Sequence, residues 1–438
     1  MRRIAVGIIL LLVFLSAPAL ADEAEQHLPD TPVGRQVSWL IEASSRLPVG
    51  EAEAREHLAP GFLDAVGLEP FNATLGQAAG ESGLRLVALR PAGDTVASGV
   101  VAGDGGEQHV RITVDDAGLI AALRLTPLPR SPAELDERLH RLAPQVSFLA
   151  AQVESESCRP VHSRAADTAR PVGSAFKLYV LGALARAVER GEAAWDEQLA
   201  IREEWRSLGE GGLNQAPAGA TYPLRRYAEL MISISDNTAT DHLIRRLDRR
   251  TVEDQRLRFG MADPAANVPF PLTRDVLQLK GNSYPAFAEP YRQLHGEDRR
   301  SYLDTVIAPL PLAGIQGWTA PRDIDTIEWF ASPADLCRAF VGLHQQAGTA
   351  GLEPVAQALS INGGSTGLDP AQWPTVWFKG GSEAGVLTLN YLASTAQGRT
   401  FVVSVMVSDP AQNLDPATSD ELVALVHSAF RMAADATG

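Results

Sequence analysis

Lysine is nearly absent from this chain. Of its 38 basic residues only three are lysine: Lys177, Lys280 and Lys379. Surface cations are therefore arginine by default. A guanidinium keeps its proton, whereas a buried amine can titrate near neutrality, so each lysine calls for a reason. Cysteine is as rare, with Cys158 and Cys337 alone. One possible pair excludes a disulfide-stapled framework and leaves open whether the two thiols bond. The nine histidines show no metal-ligand spacing, which argues against a metal site. Basic runs are lacking and the formal net charge is −15, which argues against a nucleic-acid partner. No composition bias or motif calls for a cofactor.

Long apolar runs are lacking too. The one charge-free stretch, residues 4–15, is shorter than the about 18 residues of a membrane span. It follows Arg2 and Arg3 and precedes Ala19-Leu20-Ala21. A basic start, a short apolar centre and small residues at the end read as a secretory signal peptide over 1–21. No cysteine follows it to carry a lipid. The expected product is a periplasmic or secreted protein with no membrane span.

What is present reads as two folded units. Broken helical patterns fill 32–80, and short alternating strands with Gly-Asp and Asp-Asp turns fill 83–126. Helices followed by an antiparallel sheet predict a small α+β domain over 30–127. PLPRSP, around 127–132, reads as a linker. A larger domain is expected over 128–438. It should have a helix near 133–144, a strand at 146–155, a loop, a helix over 174–190, and helices near 223–234 and 238–248. Residues 281–330 read as loop with short helices. Three strands of one antiparallel sheet and a closing helix should end the chain.

Three short stretches carry chemistry. In PVGSAFKLYVL, Ser174 and Lys177 stand three apart at a helix start. That spacing puts both side chains on one face, where free N–H groups favour negative charge on a reacting oxygen. A desolvated lysine there can serve as general base. In MISISDNTATDHL, Ser235-Asp236-Asn237 also fit a capped break between helices. In WFKGGSEAG, a lysine followed by Gly380 and Gly381 suits close approach of a ligand or another backbone, or a β-bulge.

In this order the three resemble the S-x-x-K, S-D-N and K-T-G motifs of the class A β-lactamase and penicillin-binding protein superfamily. The resemblance covers about 130–438. It implies an antiparallel sheet flanked by helices, with an all-helical subdomain. The preceding α+β block is similar in layout to the ketosteroid-isomerase, nuclear-transport-factor or cystatin folds. Such a block precedes the hydrolase in the clavulanic-acid-cluster hydrolase and related exported lipoproteins.

The resemblance implies that Ser174 is the nucleophile of an acyl-enzyme and Lys177 its base. Ser235 would bridge Lys177 and Lys379 and pass the proton to the leaving group. Asn237 would hold the substrate amide, and Asp236 would support the loop. Lys379 would supply positive potential to a substrate carboxylate. The backbone of Ser174 and Ser382, with Gly381 beside it, would form the oxyanion hole. The implied substrate is a small β-lactam, ester or peptidoglycan-like amide.

The sequence departs from the family in two places. Residues 261–282, where a water-activating glutamate is expected, hold Asp263 and Asp275 as their only acids, so deacylation should be slow. The third motif is K-G-G rather than K-T-G. Lys280 could shape the pocket or lie solvated on the surface. Residues 363–367, GGSTG, match the nucleophile elbow G-x-S-x-G, but a helical stretch and Pro370 flank them where a strand and a helix belong. Two rival readings stand beside the hydrolase: a cell-wall D,D-peptidase, and a ligand-binding protein with a vestigial hydrolase site.

Overall fold

The structure is a computed structural model and describes residues 28–209 and 211–437. The signal-peptide expectation, 1–21, lies outside the described residues. The chain opens with helices α1 (Pro32–Ser44), α2 (Glu51–His57), α3 (Pro60–Val66) and α4 (Leu68–Ala79). Thr31 caps α1 by accepting the Gly34 N–H, and Pro32 sits where no N–H is needed. Strands β1 (Arg85–Pro91), β2 (Val96–Gly103), β3 (Gly106–Val114) and β4 (Ile120–Pro127) follow as an antiparallel meander. The spacing of Val33, Val37 and Leu40 makes one apolar face of α1, which joins Leu75, Val101 and Ile112 in this unit's own core.

The second unit begins with α5 (Pro132–Leu142), β5 (Gln145–Glu154), β6 (Ser157–Arg164) and the short β7 (Arg170–Pro171). Then come α6 (Lys177–Glu189), β8 (Gln198–Ala200), β9 (Thr221–Pro223), α7 (Leu224–Ser233), α8 (Asn237–Leu247), α9 (Arg249–Arg258) and α10 (Thr273–Gly281). Short helices α11 (Ala288–Gln293) and α12 (Gly296–Tyr302) lead to β10 (Phe330–Ala331), α13 (Pro333–Ala347) and α14 (Pro354–Ser360). Strands β11 (Thr375–Glu383), β12 (Val386–Ser394) and β13 (Thr400–Ser408) precede the last helix, α15 (Thr418–Ala436).

The main sheet runs β11-β12-β13-β5-β6, antiparallel throughout. Every residue of β13 is buried, as its central place between two helical layers requires. On one face α5 and α15 pack through Leu139, Phe430 and Val403. On the other, α6 and α13 pack through Leu181, Phe340 and Met406. Helix α6 is apolar on almost every side because helices surround it.

Several expectations change. The run 157–164 is an edge strand rather than a loop. Its Pro160 and alternating polar residues hide the pattern, as edge positions allow. The expected helix over 174–190 starts later: Gly173–Phe176 forms a 3-10 turn and α6 begins at Lys177. The β11–β12 register continues unbroken through Gly380 and Gly381, so no bulge forms there. The linker shrinks to 128–131, with Leu128 buried. GGSTG is no nucleophile elbow: Gly363–Thr366 is a 3-10 turn, and the Ser365 hydroxyl pairs with that of Tyr391 at 2.9 Å.

Cys158 and Cys337 are joined in a disulfide. It ties edge strand β6 to α13 across a sequence separation of 179 residues. Replacing both cysteines by serine should cost roughly 2–5 kcal/mol, because a long loop regains its freedom in the unfolded chain. Urea unfolding of the wild type and the double variant under non-reducing conditions measures this; coincident transitions would contradict it.

Candidate active site

The Ser174 turn is held from below by aromatic packing. Phe176 stacks on Trp329 with ring centroids 3.9 Å apart and meets Phe270 edge-on. The Val172 N–H donates to the Trp329 carbonyl at 2.9 Å, and β7 pairs with β10 just before. Gly173 takes φ of 46°, a left-handed conformation that glycine adopts without strain. These constraints set Ser174, half-buried, at the lip of a cleft of about 310 Å³.

Strand β11 closes against this turn. A Cβ added at Gly381 would lie 2.1 Å from the Val172 carbonyl oxygen and 2.6 Å from the Ser174 amide nitrogen. One at Gly173 would lie 2.9 Å from the Ser382 amide nitrogen. Only glycine permits this approach, which packs the Gly381–Ser382 backbone directly against that of Val172–Ser174. Ser382 itself is exposed and lines the cleft.

The Ser235–Asn237 stretch joins α7 to α8. Ser235 has φ of 58°, unusual for a side chain other than glycine and a store of strain. Asp236 fixes the turn: its carboxylate accepts the Ala239 N–H at 2.8 Å and the Leu213 N–H at 2.6 Å. The Ser235 hydroxyl stands between two amines. Lys177 Nζ reaches it at 3.0 Å and Lys379 Nζ at 3.1 Å. Lys177 also donates to the Ser235 carbonyl at 2.5 Å and to Asn237 Oδ1 at 2.8 Å, while Lys379 donates to the Gly380 carbonyl at 2.7 Å. The Asn237 Nδ2 group donates to the Leu208 carbonyl at 2.8 Å.

Both amines are out of water: Lys177 is 0% and Lys379 3% exposed. Burial holds Lys379 down to about 7. Burial, and then the neighbouring charge of Lys379, lower Lys177 well below the usual lysine range; the more distant Asp241 and Asp236 oppose this. Three hydrogen-bond acceptors around Lys177 favour its ammonium form, but complete desolvation is the larger effect. An amine poised this way can take a proton from a neighbouring hydroxyl.

Lys280 is neither solvated nor in the cleft, which corrects one of the two readings of it. It is fully buried and pairs with Glu383 at 2.6 Å and Glu328 at 3.6 Å. Burial, then the charge of Glu328, push the Glu383 carboxyl well above the usual carboxylate range despite the Lys280 ammonium beside it. The pairing ties α10 to the end of β11. Neither acid of 261–282 faces the cleft. Asp263 is exposed and caps Ala265, while Asp275 is buried against Arg249 and the Leu272 N–H. Among the described residues that line the cleft, none carries a carboxylate.

Several cleft residues carried no signal in the sequence. Asn362 lines the wall and its Nδ2 donates to the Ser233 carbonyl. Asn390, fully buried behind the cleft lining, lies opposite Lys379 on β12; its side chain donates to the Lys379 carbonyl at 3.1 Å and accepts from Ser404 at 2.6 Å. Ile234, Phe378, Leu387 and Leu389 supply apolar wall. Among the described residues, no group of three or more His, Cys, Asp or Glu could hold a metal ion, and no helix is long and apolar enough to cross a membrane.

Residues 134–306 match the model described as Beta-lactamase enzyme family. The C-terminal region has a β-lactamase-like fold. Residues 28–120 match the model described as ORF 12 gene product N-terminal. A class A β-lactamase from Rhodopseudomonas palustris is 14% identical, with a TM-score of 0.50, over 69% of this chain and 98% of that one. A β-lactamase from Sphaerobacter thermophilus is 20% identical at a TM-score of 0.48, over 68% and 94%. A mutant of PBP-A, solved as an acyl-enzyme complex with penicillin G, is 19% identical at a TM-score of 0.48, over 69% and 96%. No curated protein matches the sequence. The family match supports a hydrolase of the β-lactamase kind.

Two outcomes follow from the geometry of the β-lactamase-like region. Gly381→Ala should push β11 off the Ser174 turn and slow any acylation of Ser174 by about tenfold or more; an unchanged acylation rate in stopped-flow measurements would contradict the close approach. Lys379, depressed from 10.5 to about 7, binds fewer protons folded than unfolded between those values. Its contribution therefore makes stability rise with pH across that window. Lys379→Met should flatten the rise, as read from urea unfolding at pH 7, 8.5 and 10.

Proposed function

We propose that the chain is an exported serine acyl hydrolase of the β-lactamase kind, with Ser174 as nucleophile. One observation carries the reading: a single hydroxyl, Ser235, bridges two buried amines and lines the same cleft as the half-buried Ser174. In the proposed reaction Lys177 accepts the Ser174 proton as Oγ attacks the substrate carbonyl. The Ser174 and Ser382 amides stabilise the oxyanion, each worth about 3 kcal/mol in such sites. Ser235 then passes a proton from the amines to the leaving group. Asn237 orients the substrate, and Asp236 acts only by holding the turn. Water finally cleaves the acyl-enzyme.

Deacylation is the slow step in this reading, because none of the described residues that line the cleft carries a carboxylate to activate water. The same observation favours a second reading, a cell-wall D,D-peptidase that penicillins acylate without release. Export rests on the residues 1–21 pattern and agrees with a disulfide, which persists in oxidising compartments. The N-terminal unit, with four helices ahead of a four-stranded meander, is read as ketosteroid-isomerase-like.

Intact mass after incubation with benzylpenicillin and with p-nitrophenyl butyrate tests the proposal. A Ser174 adduct should form with the wild type and not with Ser174→Ala. Its decay should take minutes or longer. Lys177→Arg, whose side chain keeps its proton, should slow acylation by about 10²–10⁴-fold. Equal adducts on wild type and Ser174→Ala would refute the nucleophile.

A further inference from the structure

The cleft wall around Gly380 differs from what a carboxylate-bearing substrate needs. Side chains on a strand alternate, and directly paired residues share a face. Phe378, Gly380 and Ser382 therefore stand on one face of β11 with their partners Tyr391, Leu389 and Leu387. At the exposed edge of this face the surface is hydrocarbon. The Phe378 ring packs on Tyr391 with centroids 4.5 Å apart and extends over Gly380. A Cβ added at Gly380 would meet its ζ carbon at 2.8 Å. Leu387 and Leu389 flank the same spot, and Ile234, 51% exposed, faces the cleft from the other side. Among the cleft-lining residues of this strip Ser382 adds a hydroxyl; that of Tyr391 is buried against Ser365.

Lys379 is the single cation among the described residues that line the cleft. Its ammonium lies on the opposite face of β11, 3% exposed, donating to Ser235 and to the Gly380 carbonyl. Among the described residues no arginine lines the cleft, although arginine is the commonest cation of this chain. A carboxylate placed at the Gly380 edge would lose its water against Phe378, Leu387 and Leu389 with no guanidinium fork to replace it. Unpaired burial of a charge is costly, whereas an uncharged apolar group gains by leaving water there.

From this we infer, resting on the acyl-hydrolase reading, that the site selects uncharged acyl substrates with an apolar group beside the scissile bond and discriminates against those with a carboxylate there. For a neutral ester the chemistry balances without any further reactant. The Ser174 Oγ–C bond forms and the ester C–O bond breaks. The serine proton moves through Lys177 and Ser235 to the departing alcohol. Water then adds to the acyl carbon, releases the carboxylic acid and returns the proton to Ser174.

A matched pair of probes tests the inference on the full chain: benzylpenicillin and its methyl ester, which differ only in the carboxylate. The second-order rate constant for Ser174 acylation is read by intact mass, with Ser174→Ala as control and p-nitrophenyl butyrate as an uncharged reference. The methyl ester should acylate at least tenfold faster than the free acid. An equal or faster reaction of the free acid at Ser174 overturns the inference and leaves the serine-hydrolase reading standing. No Ser174 adduct from any of the three compounds removes that reading, and the inference with it.

Discussion

Two amines removed from water on either side of one serine hydroxyl set the terms for the rest of the fold. Neither Lys177 nor Lys379 can be buried alone at acceptable cost. Each needs acceptors, and the Ser235 hydroxyl, the Ser235 carbonyl, Asn237 and the Gly380 carbonyl provide them. That demand fixes where the α7–α8 turn must lie relative to α6 and β11. The left-handed Ser235, the doubly bonded Asp236 and the side-chain-free Gly381 are the local conditions that let three remote segments meet. Lys280 repeats the pattern with glutamates in place of hydroxyls and braces the far end of β11.

The elements that the sequence disclosed best are those whose signal is local. The alternating runs of β11 to β13, the apolar α6 and the capped start of α8 all announce themselves within a dozen residues. The motif residues Ser174, Lys177, Ser235 and Lys379 were legible because lysine is so rare that position alone is informative. Strand β6 was not legible, since an edge strand facing water has little reason to alternate cleanly. Asn362, Asn390 and Phe378 were also silent. Their importance comes from what stands opposite them after folding, which no short window records. The burial of Lys280 was undecided for the same reason: its partners Glu328 and Glu383 lie 48 and 103 residues further along the chain.

The turn 362–367 connects the two units. A Cβ at Gly367 would meet the backbone of Gly99 in β2 at 2.9 Å, and one at Gly363 would strike the Val376 carbonyl of β11 at 2.1 Å. Arg90 of β1 donates to the Leu368 carbonyl at 2.8 Å and to that of Trp373. The N-terminal sheet thus grips a segment whose first residue, Asn362, holds the Ser233 carbonyl in the cleft wall. Arg138 adds a bidentate pair with Glu421, joining α5 to α15 beside this contact. The N-terminal unit is therefore continuous with the mechanical frame of the cleft.

The deep placement of all three lysines has a chemical corollary for any protein that handles activated acyl groups. Such groups pass readily to free amines, and a solvent-facing lysine would be a competing acceptor on the catalyst's own exterior. The described exterior presents its positive charge as guanidinium, which stays protonated and is a poor acceptor. In the proposed acyl hydrolase this arrangement would suppress aminolysis by stray side chains and leave the buried amines at Ser235 as the described lysines nearest the reaction.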